Sequence, residues 1–221
     1  MKDAMLTKVK AGSIADGIAD ALIENHYAVN LPESNWDAWE EPLPEPFNKN
    51  AKLLVNCTGK TRISEPDDWA GKAEEIVAIN LTAAINMTSE FVKQTAGTPG
   101  TKTIIHIGSL WSRKHGTNNA VYCAAKAGLA HFISCIAYDL WLKYGKEFVI
   151  IGLHPGNVKG TPMTRKVQQT LQRERGFTQE QIYELYEHCI TPKEVGEMVV
   201  QLDGAWWLSG ENIYLGNFDK R

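Results

Sequence analysis

The sequence of 221 residues predicts an α/β fold in which helices cover both faces of a parallel sheet. Two observations predict it. Several short runs rich in β-branched residues are apolar at consecutive positions, as is typical of strands covered on both faces. Between them lie longer segments whose apolar residues recur at helical spacing. Because such sheets bind ligands at the carboxyl ends of their strands, the residues that follow each run are the first candidates for chemistry.

Six segments are predicted as strands. The four clearest are KLLVN at 52–56, TIIHI at 103–107, FVIIGL at 148–153 and NIYL at 212–215. Two weaker ones precede them, AML at 4–6 and YAVNL at 27–31. No linker-like stretch divides the chain, so we expect residues 1–221 to form a single Rossmann-like, doubly wound domain.

Four helices are predicted from apolar stripes and caps. The first follows Ser13 or Asp16 as cap and carries Ile14, Ile18, Ala21 and Leu22. The second carries Ile76, Ile79, Ala83, Met87 and Phe91, and the third carries Ala125, Leu129, Phe132, Ile133, Ile136 and Leu140. The fourth begins with a capping box, made by Thr191, Pro192 and Glu194.

Composition excludes several classes of function. The net charge is -3 and the basic residues are scattered, so we expect neither a nucleic-acid partner nor a membrane surface. We expect no membrane span, and the first ten residues lack the apolar core of a signal peptide. The four cysteines are widely separated and form no CxxC pair, which predicts no metal site, no disulfide framework and a reduced, cytoplasmic location.

A serine, a tyrosine and a lysine stand at informative spacings around the fourth predicted strand. Tyr122 and Lys126 are one helical turn apart and therefore share a helix face. Ser109 follows the strand directly, thirteen residues before the tyrosine. A phenol titrates near ~10, so a tyrosine that exchanges protons at neutral pH needs a positive charge nearby. Lys126 would supply it, although such a pair also occurs as ordinary amphipathic surface.

These three residues resemble the signature of the short-chain dehydrogenase/reductase family. Three more motifs occur in the family's order. LLVNCTG resembles the strand-end Asn-Asn-Ala-Gly motif, matching at Asn56 and Gly59 and departing at Cys57 and Thr58. INLTA carries Asn80 at the place of the fourth catalytic residue. HPGNVKGTPM resembles the loop that closes over the nicotinamide, matching at Pro155, Gly156, Val158 and Thr161.

The resemblance implies NAD or NADP as cofactor and a role for each catalytic residue. Tyr122 would be the general acid in reduction and the base in oxidation. Lys126 would bind the nicotinamide ribose and lower the pKa of the tyrosine. Ser109 would position the substrate carbonyl, and Asn80 would hold a water that links Lys126 to solvent. The alternatives are that Asn80 caps a distorted turn and that Ser109 only ends a strand.

The first strand-to-helix turn departs from the family's Gly-rich pattern. It resembles the looser variant of enoyl-acyl-carrier-protein reductases, which implies that Ser13 and Ile14 bind cofactor, yet Lys8 stands where that variant has its first glycine. A side chain there crowds a phosphate, whereas its charge attracts one. A plain helix start without a ligand is the alternative.

The segment between residues 31 and 52 departs further. Its four prolines, Pro32, Pro42, Pro44 and Pro46, predict irregular structure and a sheet shortened at the strand 2/3 edge. Trp36 and Trp39 would replace the missing wall of the adenine pocket or serve as apolar cover. The choice between NAD and NADP stays open, because Glu33 favours NAD while Lys8 and Lys10 favour NADP.

The substrate is expected to be a small carbonyl or alcohol. Its wall would come from the loop after Ser109, which offers Leu110, Trp111, Ser112 and His115, and from residues 162–190. In that segment Arg165, Lys166, Arg173 and Arg175 would face an anionic group or form a solvated helix face. The second and third helices resemble the family's dimer contact, which implies a homodimer or homotetramer. An inactive dinucleotide-sensing or scaffolding relative is the alternative function.

Overall fold

The structure is a computed structural model that describes residues 1–7, 13–30, 48–62, 66–69, 71–116 and 118–216. Its strands are β1 Lys2–Leu6, β2 Tyr27–Asn30, β3 Leu53–Asn56, β4 Lys102–Ile107, β5 Phe148–Pro155 and β6 Asn212–Leu215. Its helices are α1 Ile14–Glu24, α2 Ala73–Val77, α3 Ala83–Thr95, α4 Ala120–Tyr144, α5 Pro162–Arg175, α6 Gln179–Tyr186 and α7 Pro192–Leu202. All six predicted strands are confirmed, with ends that differ by up to two residues.

The six strands of the described residues form one parallel sheet in the order β2-β1-β3-β4-β5-β6. The chain runs outward from β1 to β2 and then crosses back to β3 on the other side of β1. Strand order therefore reverses between β1 and β3, the point at which open sheets of this kind bind ligands beyond their carboxyl ends. This is the predicted Rossmann-like architecture.

Helices pack on both faces of the sheet and bury a separate core on each. On one face α1 and α7 pack together over β1, β3 and β5, around Ile18, Leu22, Val195 and Val199. On the other face α3 and α4 cover β3 and β4 with Met87, Phe91, Leu129 and Ile133. The predicted apolar stripes are confirmed, as are the Ser13 cap of α1 and the Thr191 capping box of α7.

The second predicted helix is interrupted. Between α2 and α3 the segment Ala78–Thr82 is π-helical, with Asn80 at its centre. The Asn80 amide donates to the Ile76 carbonyl oxygen one turn back, at 2.8 Å, and to the Lys60 carbonyl oxygen, at 2.7 Å. A side chain that binds the helix's own carbonyl widens the turn, and such bulges recur at functional sites. Apolar periodicity does not reveal it, because the stripe continues through the bulge.

The composition of α4 contradicts one expectation. Among the described helices, α4 has the length and composition of a membrane span, with a window of mean hydropathy 1.4 of which 33% is buried. Its apolar character has a structural cause, since Leu129 and Ile133 pack against the sheet while Phe132 and Ile136 border α3. Core helices meet the same criterion as membrane helices.

Several residues singled out in the sequence lie outside the described ranges. They include Lys8 and Lys10 in the first turn, and Glu33, Trp36, Trp39 and the four prolines of the 31–52 segment. Within the described residues, β2 is the strand at that edge of the sheet.

We predict that Gly17→Ala destabilises the fold although it adds a helix-favouring residue. Alanine in a helix interior is favoured over glycine by about 1 kcal/mol. Here, however, its Cβ would lie closer than 3.0 Å to backbone atoms of Pro192, where α1 crosses α7. Overpacking of this kind costs about 1–3 kcal/mol, which should outweigh the gain in helix propensity and make the variant less stable than the parent. The free energy of unfolding in urea measures it.

Gly116→Ala is the control for that measurement. A Cβ there would lie 3.5 Å from its nearest neighbour, an ordinary van der Waals contact. A Gly17→Ala protein as stable as the parent would contradict the close packing of α1 on α7.

Candidate active site

A cavity of about 270 Å³ opens at the carboxyl ends of the central strands. Nine of the residues predicted to act in catalysis or cofactor binding line it: Ser13, Ile14, Gly59, Ser109, Tyr122, Pro155, Gly156, Val158 and Thr161. Three do not, because Asn80 and Lys126 are buried beneath Gly59 and Asn56 lies within the sheet. The residues are distant in sequence, and parallel strands bring them to one edge.

Ser109 and Tyr122 lie side by side at the floor of this cavity, close enough for the serine hydroxyl to lower the pKa of the phenol. Ser109 follows β4 in extended conformation and caps a short 3-10 turn by accepting from the Trp111 N–H at 3.3 Å. Tyr122 lies in the first turn of α4. Both side chains are nearly buried, with 5% and 6% exposure, yet both border the cavity. A small molecule in the cavity would meet the two hydroxyl groups together.

Lys126 lies one turn further along α4 and is 2% exposed. Its Nζ donates to the Ile107 carbonyl oxygen at 3.1 Å and lies 5.9 Å from the centre of the Tyr122 ring. Burial lowers the pKa of Lys126 to about 8, and the nearby Cys57 thiol opposes this shift. An ammonium has three protons to donate, so Ile107 satisfies only one of them.

Burial has the largest effect on the pKa of Tyr122, and the lowering expected from Lys126 stays a prediction. Burial raises the pKa of Tyr122 to about 12, while the hydrogen bond with Ser109 acts in the opposite direction. The reason is geometric, since removal of the phenol from water penalises the phenolate and the ammonium is directed to Ile107. Tyr122 is therefore a neutral phenol, ready to donate a proton.

Asn80 lies beside Lys126 across Gly59. A Cβ on Gly59 would be 3.2 Å from Asn80 Oδ1 and 3.5 Å from Lys126 Nζ, so glycine keeps this space open. Asn80 Oδ1 accepts from the Lys60 N–H at 3.2 Å. The asparagine thus closes the distorted turn, as the alternative interpretation expects, and keeps its oxygen next to the ammonium.

Asn56 has a different environment from the other candidates. It is buried at the end of β3, where its Oδ1 accepts from Thr7 Oγ1 and from the Thr58 N–H, each at 3.0 Å. Its Nδ2 pairs with His106 Nδ1 at 3.2 Å. The side chain links three strands and does not reach the cavity.

The cofactor side of the cavity is built from two helix starts and one loop. Ser13 caps α1 by accepting from the Asp16 N–H at 3.3 Å, and Thr161 caps α5 by accepting from the Thr164 N–H at 3.2 Å. Between them the Gly156 N–H donates to the Leu215 carbonyl oxygen at 2.8 Å, which fixes the Pro-Gly loop to β6. The open space at Gly59 and the N-terminus of α1 fit a dinucleotide with its nicotinamide near Tyr122.

Sequence reasoning missed several cavity residues. Cys57, Thr61, Asn119 and Asn157 line it, and Thr61 Oγ1 donates to Asn119 Oδ1 at 2.9 Å. No single-residue signal marks them, because loops that are far apart in sequence bring them together. The substrate segments were better anticipated: Trp111, Met163 and Val167 line the cavity. Arg165, Lys166, Arg173 and Arg175 are exposed and do not line it, which agrees with a solvated helix face.

Comparison with known proteins defines the class. The model of the short chain dehydrogenase family matches residues 14–172. The chain therefore belongs to the short-chain dehydrogenase/reductase family, as the sequence motifs predicted.

Two curated relatives are similar to the chain. It is 29% identical over 172 residues to an acetoacetyl-CoA reductase of Shinella zoogloeoides, covering 73% of this chain and 64% of the relative. It is 30% identical over 127 residues to a benzil reductase, (S)-benzoin forming, of Bacillus cereus, covering 56% of this chain and 49% of the relative. The matches thus span between half and two thirds of each relative's length.

Solved structures share the fold at low identity. An actinorhodin polyketide ketoreductase with NADPH superposes with a TM-score of 0.83 at 20% identity, covering 97% of this chain and 95% of that one. The aldohexose dehydrogenase of Thermoplasma acidophilum superposes with a TM-score of 0.74 at 19% identity, covering 97% and 92%. At this identity the likeness shows the fold.

We predict that Lys126→Met changes the pH dependence of stability. The lysine pKa is about 8 in the folded protein against an ordinary 10.5. Below pH 8 both states carry the charge and the folded state bears its full desolvation cost. Between pH 8 and 10.5 the folded state loses the proton first, so wild-type stability rises relative to the variant. Urea unfolding from pH 7 to pH 10 should show a change of about 3 kcal/mol in the difference.

Only the pH-dependent part of the stability difference between the parent and Lys126→Met reports on the Lys126 pKa. Loss of the Ile107 hydrogen bond adds a constant cost of about 1–3 kcal/mol to the variant at every pH. A stability difference that stays flat across the range would contradict a depressed Lys126 pKa.

Proposed function

We propose that this protein is an NAD(P)-dependent oxidoreductase that transfers hydride between nicotinamide and the carbonyl or alcohol of a small substrate. One observation carries the proposal: the neighbouring Ser109 and Tyr122 hydroxyls border a cavity at the switch point of the sheet, with the Lys126 ammonium one turn behind them. Membership of the short-chain dehydrogenase/reductase family supports it.

The bound nicotinamide supplies the hydride in reduction and accepts it in oxidation. The residues proposed to hold the cofactor are Ser13 and Ile14 at the start of α1, Asn56 and Gly59 after β3, Tyr122 and Lys126 on α4, and Pro155, Gly156, Val158 and Thr161 after β5. Of these, Asn56 would act through the shape of the β3 turn, because its side chain is engaged with Thr7 and Thr58.

Tyr122 is proposed as the general acid in reduction. Its raised pKa keeps the phenol protonated at neutral pH, so the enzyme begins the reaction with the proton in place. As the carbonyl carbon gains hydride, its oxygen takes the O–H proton of Tyr122 and becomes the alcohol. Ser109 donates a hydrogen bond to the same oxygen while charge develops there. In oxidation the same groups act in reverse.

Lys126 is proposed to return the proton. The phenolate left on Tyr122 is costly in its buried site, and the ammonium next to it stabilises that charge once it forms. With a pKa of about 8, Lys126 is charged at pH 7 and readily exchanges its proton. Asn80 Oδ1, across Gly59, is proposed to hold the water that carries protons from solvent.

The substrate is proposed to be uncharged. None of the described side chains that line the cavity is ionised at neutral pH, and Trp111, Met163 and Val167 form an apolar wall. Burial also raises the pKa of Cys57 far above neutrality, so its thiol stays neutral. An ionic group inside this cavity would lose water without gaining a counter-charge. A relative named benzil reductase agrees with a neutral ketone.

We further propose that residues 1–221 act as one domain of a cytoplasmic protein. The four free cysteines, Cys57, Cys123, Cys135 and Cys189, support a reducing compartment. The scattered charge supports small molecules rather than nucleic acids or membranes as partners. The choice between NAD and NADP is left to measurement, because Lys8, Lys10 and Glu33 lie outside the described residues.

The first experiment titrates NADH and NADPH into the protein and monitors tryptophan fluorescence. A panel of carbonyl compounds is then tested as substrates. The panel contains benzil, 1-phenyl-1,2-propanedione, ethyl acetoacetate and acetoacetate. We expect a neutral ketone to be reduced fastest and the acetoacetate anion slowest. Tyr122→Phe should lower kcat/KM by about 100- to 10,000-fold, the usual contribution of a general acid. Absorbance at 340 nm follows turnover.

The alternative function is an inactive dinucleotide-sensing or scaffolding relative. Cofactor binding without turnover of any panel carbonyl would favour the sensing role, and no binding of either cofactor would leave only the scaffolding role. A Tyr122→Phe protein as active as the parent would remove the phenol from the mechanism.

We propose a homodimer or homotetramer that forms through α3 and α4. A groove of about 640 Å³ lies between these helices and is bordered by the apolar Val92, Phe132 and Ile136. Ile136→Glu should convert the assembly to monomers, because a dimer would bury the new carboxylate against apolar surface. Light scattering after size exclusion measures the mass. A parent protein that is monomeric at about 50 μM would contradict this interface.

A further inference from the structure

His154 occupies a slot built around its ring. It lies on β5 immediately before Pro155 and is completely buried. A Cβ on Gly108 or on Gly152 would lie closer than 3.0 Å to imidazole atoms, so both neighbouring strand positions require glycine. Tyr214 of β6 stacks on the ring, with centres 4.6 Å apart and planes at 24°. The space at this position therefore fits a flat ring of the size of imidazole.

The hydrogen bonds around the ring select one tautomer. The Asn212 amide Nδ2 donates to the Ala130 carbonyl oxygen at 3.1 Å, so its Oδ1 is the atom that faces the imidazole. Oδ1 accepts only, and it lies 2.7 Å from His154 Nε2, which must therefore carry the proton. In a neutral imidazole Nδ1 is then an acceptor. The Ser109 N–H donates to it at 3.2 Å.

The imidazole therefore contacts the backbone of the serine proposed to orient the substrate. A second contact reinforces the same loop, because Ser112 Oγ donates to the Ser109 carbonyl oxygen at 2.8 Å and lies 3.3 Å from His154 Nδ1. Tyr214 OH lies 3.1 Å from Ser112 Oγ. Held at both its N–H and its carbonyl group, Ser109 keeps its side chain at the cavity beside Tyr122.

We propose that His154 is a positioning residue, which fixes the Ser109 backbone through Nδ1 and so aims the Ser109 hydroxyl at the carbonyl oxygen that Tyr122 protonates. This role rests on the proposed oxidoreductase function. A hydroxyl that orients a reacting oxygen must hold its place to within a fraction of an ångström, because small displacements cost rate.

The surrounding charges keep the ring in its neutral form. Burial lowers the pKa of His154, and the Lys126 ammonium of α4 and the Arg113 guanidinium after the 3-10 turn add to that effect. Two acceptors oppose it, because Asn212 Oδ1 faces Nε2 and the Ser109 carbonyl oxygen lies 3.2 Å from Nδ1. The other titratable neighbours are His106 on β4, whose pKa burial lowers to about 3, and Tyr214 on β6.

A double-mutant cycle between His154 and Ser109 tests the proposal, with the fastest neutral ketone of the panel and saturating cofactor. His154→Leu should lower kcat about tenfold, the effect of one lost hydrogen bond on a reacting group, and leave the cofactor Kd unchanged. In a Ser109→Ala background the same change should lower kcat by less than about twofold, because the hydroxyl that His154 aims is already gone.

Two amide variants separate positioning from general packing. His154→Asn keeps an acceptor near the place of Nδ1 and should restore kcat to within about threefold of the parent. His154→Gln puts its amide near the place of Nε2, facing Asn212, and should not restore it. If His154 had a purely structural role, His154→Asn would not restore kcat better than His154→Gln.

A variant at Asn212 keeps the test decisive if His154→Leu fails to fold. Asn212→Asp places a carboxylate 2.7 Å from the position of Nε2 and should raise the pKa of His154. Once protonated, Nδ1 no longer accepts from the Ser109 N–H and donates instead to the Ser109 carbonyl oxygen, 3.2 Å away, which changes how the Ser109 backbone is held. The variant should therefore lose kcat as pH falls through an ionisation that the parent and the uncharged control Asn212→Ser lack.

The outcomes separate the two proposals. Any of three results would overturn the role of His154 in an active enzyme. The losses in kcat multiply in the double mutant, His154→Gln rather than His154→Asn restores kcat, or the pH profile of Asn212→Asp is like that of Asn212→Ser. A parent protein that reduces no panel carbonyl overturns the proposed function itself.

Discussion

The hydrogen bond from Lys126 Nζ to the Ile107 carbonyl oxygen joins α4 to the end of β4. Ser109 lies two residues beyond that carbonyl group, and Tyr122 lies one helical turn before the lysine. One bond therefore sets the relation between the strand that carries the serine and the helix that carries the tyrosine. It also requires a cation to be held out of water, which is why the lysine pKa falls to about 8.

Beneath the cavity, buried polar groups replace part of the apolar core. Asn56 connects Thr7 and His106 across β1, β3 and β4, and His106 Nε2 pairs with Thr88 Oγ1 at 2.9 Å. Burial lowers the pKa of His106 to about 3, so this ring is neutral at any working pH. Networks whose members are all paired add rigidity, since each group is costly to leave without a partner. The strand ends that bear the site are therefore fixed relative to one another.

The family resemblance and the geometry point to the same site but describe the acidity of Tyr122 differently. The motif alone leads to a tyrosine made acidic by its lysine, whereas the geometry describes a buried phenol whose pKa is near 12. A phenol in this state is protonated at neutral pH, and the cavity around it offers no ionic partner among its described residues.

The sequence by itself determined the alternation of strands and helices, the Ser13 and Thr191 caps, and the spacing of Ser109, Tyr122 and Lys126. These depend on neighbours within one or two turns of chain, which apolar periodicity and residue type record directly. Only the tertiary structure decided that Asn56 faces inward, that Asn80 sits in a π-helical bulge, that Tyr122 becomes less acidic, and that His154 holds Ser109. Each of these depends on burial and on partners many residues away, and both arise only when the strands and helices pack together.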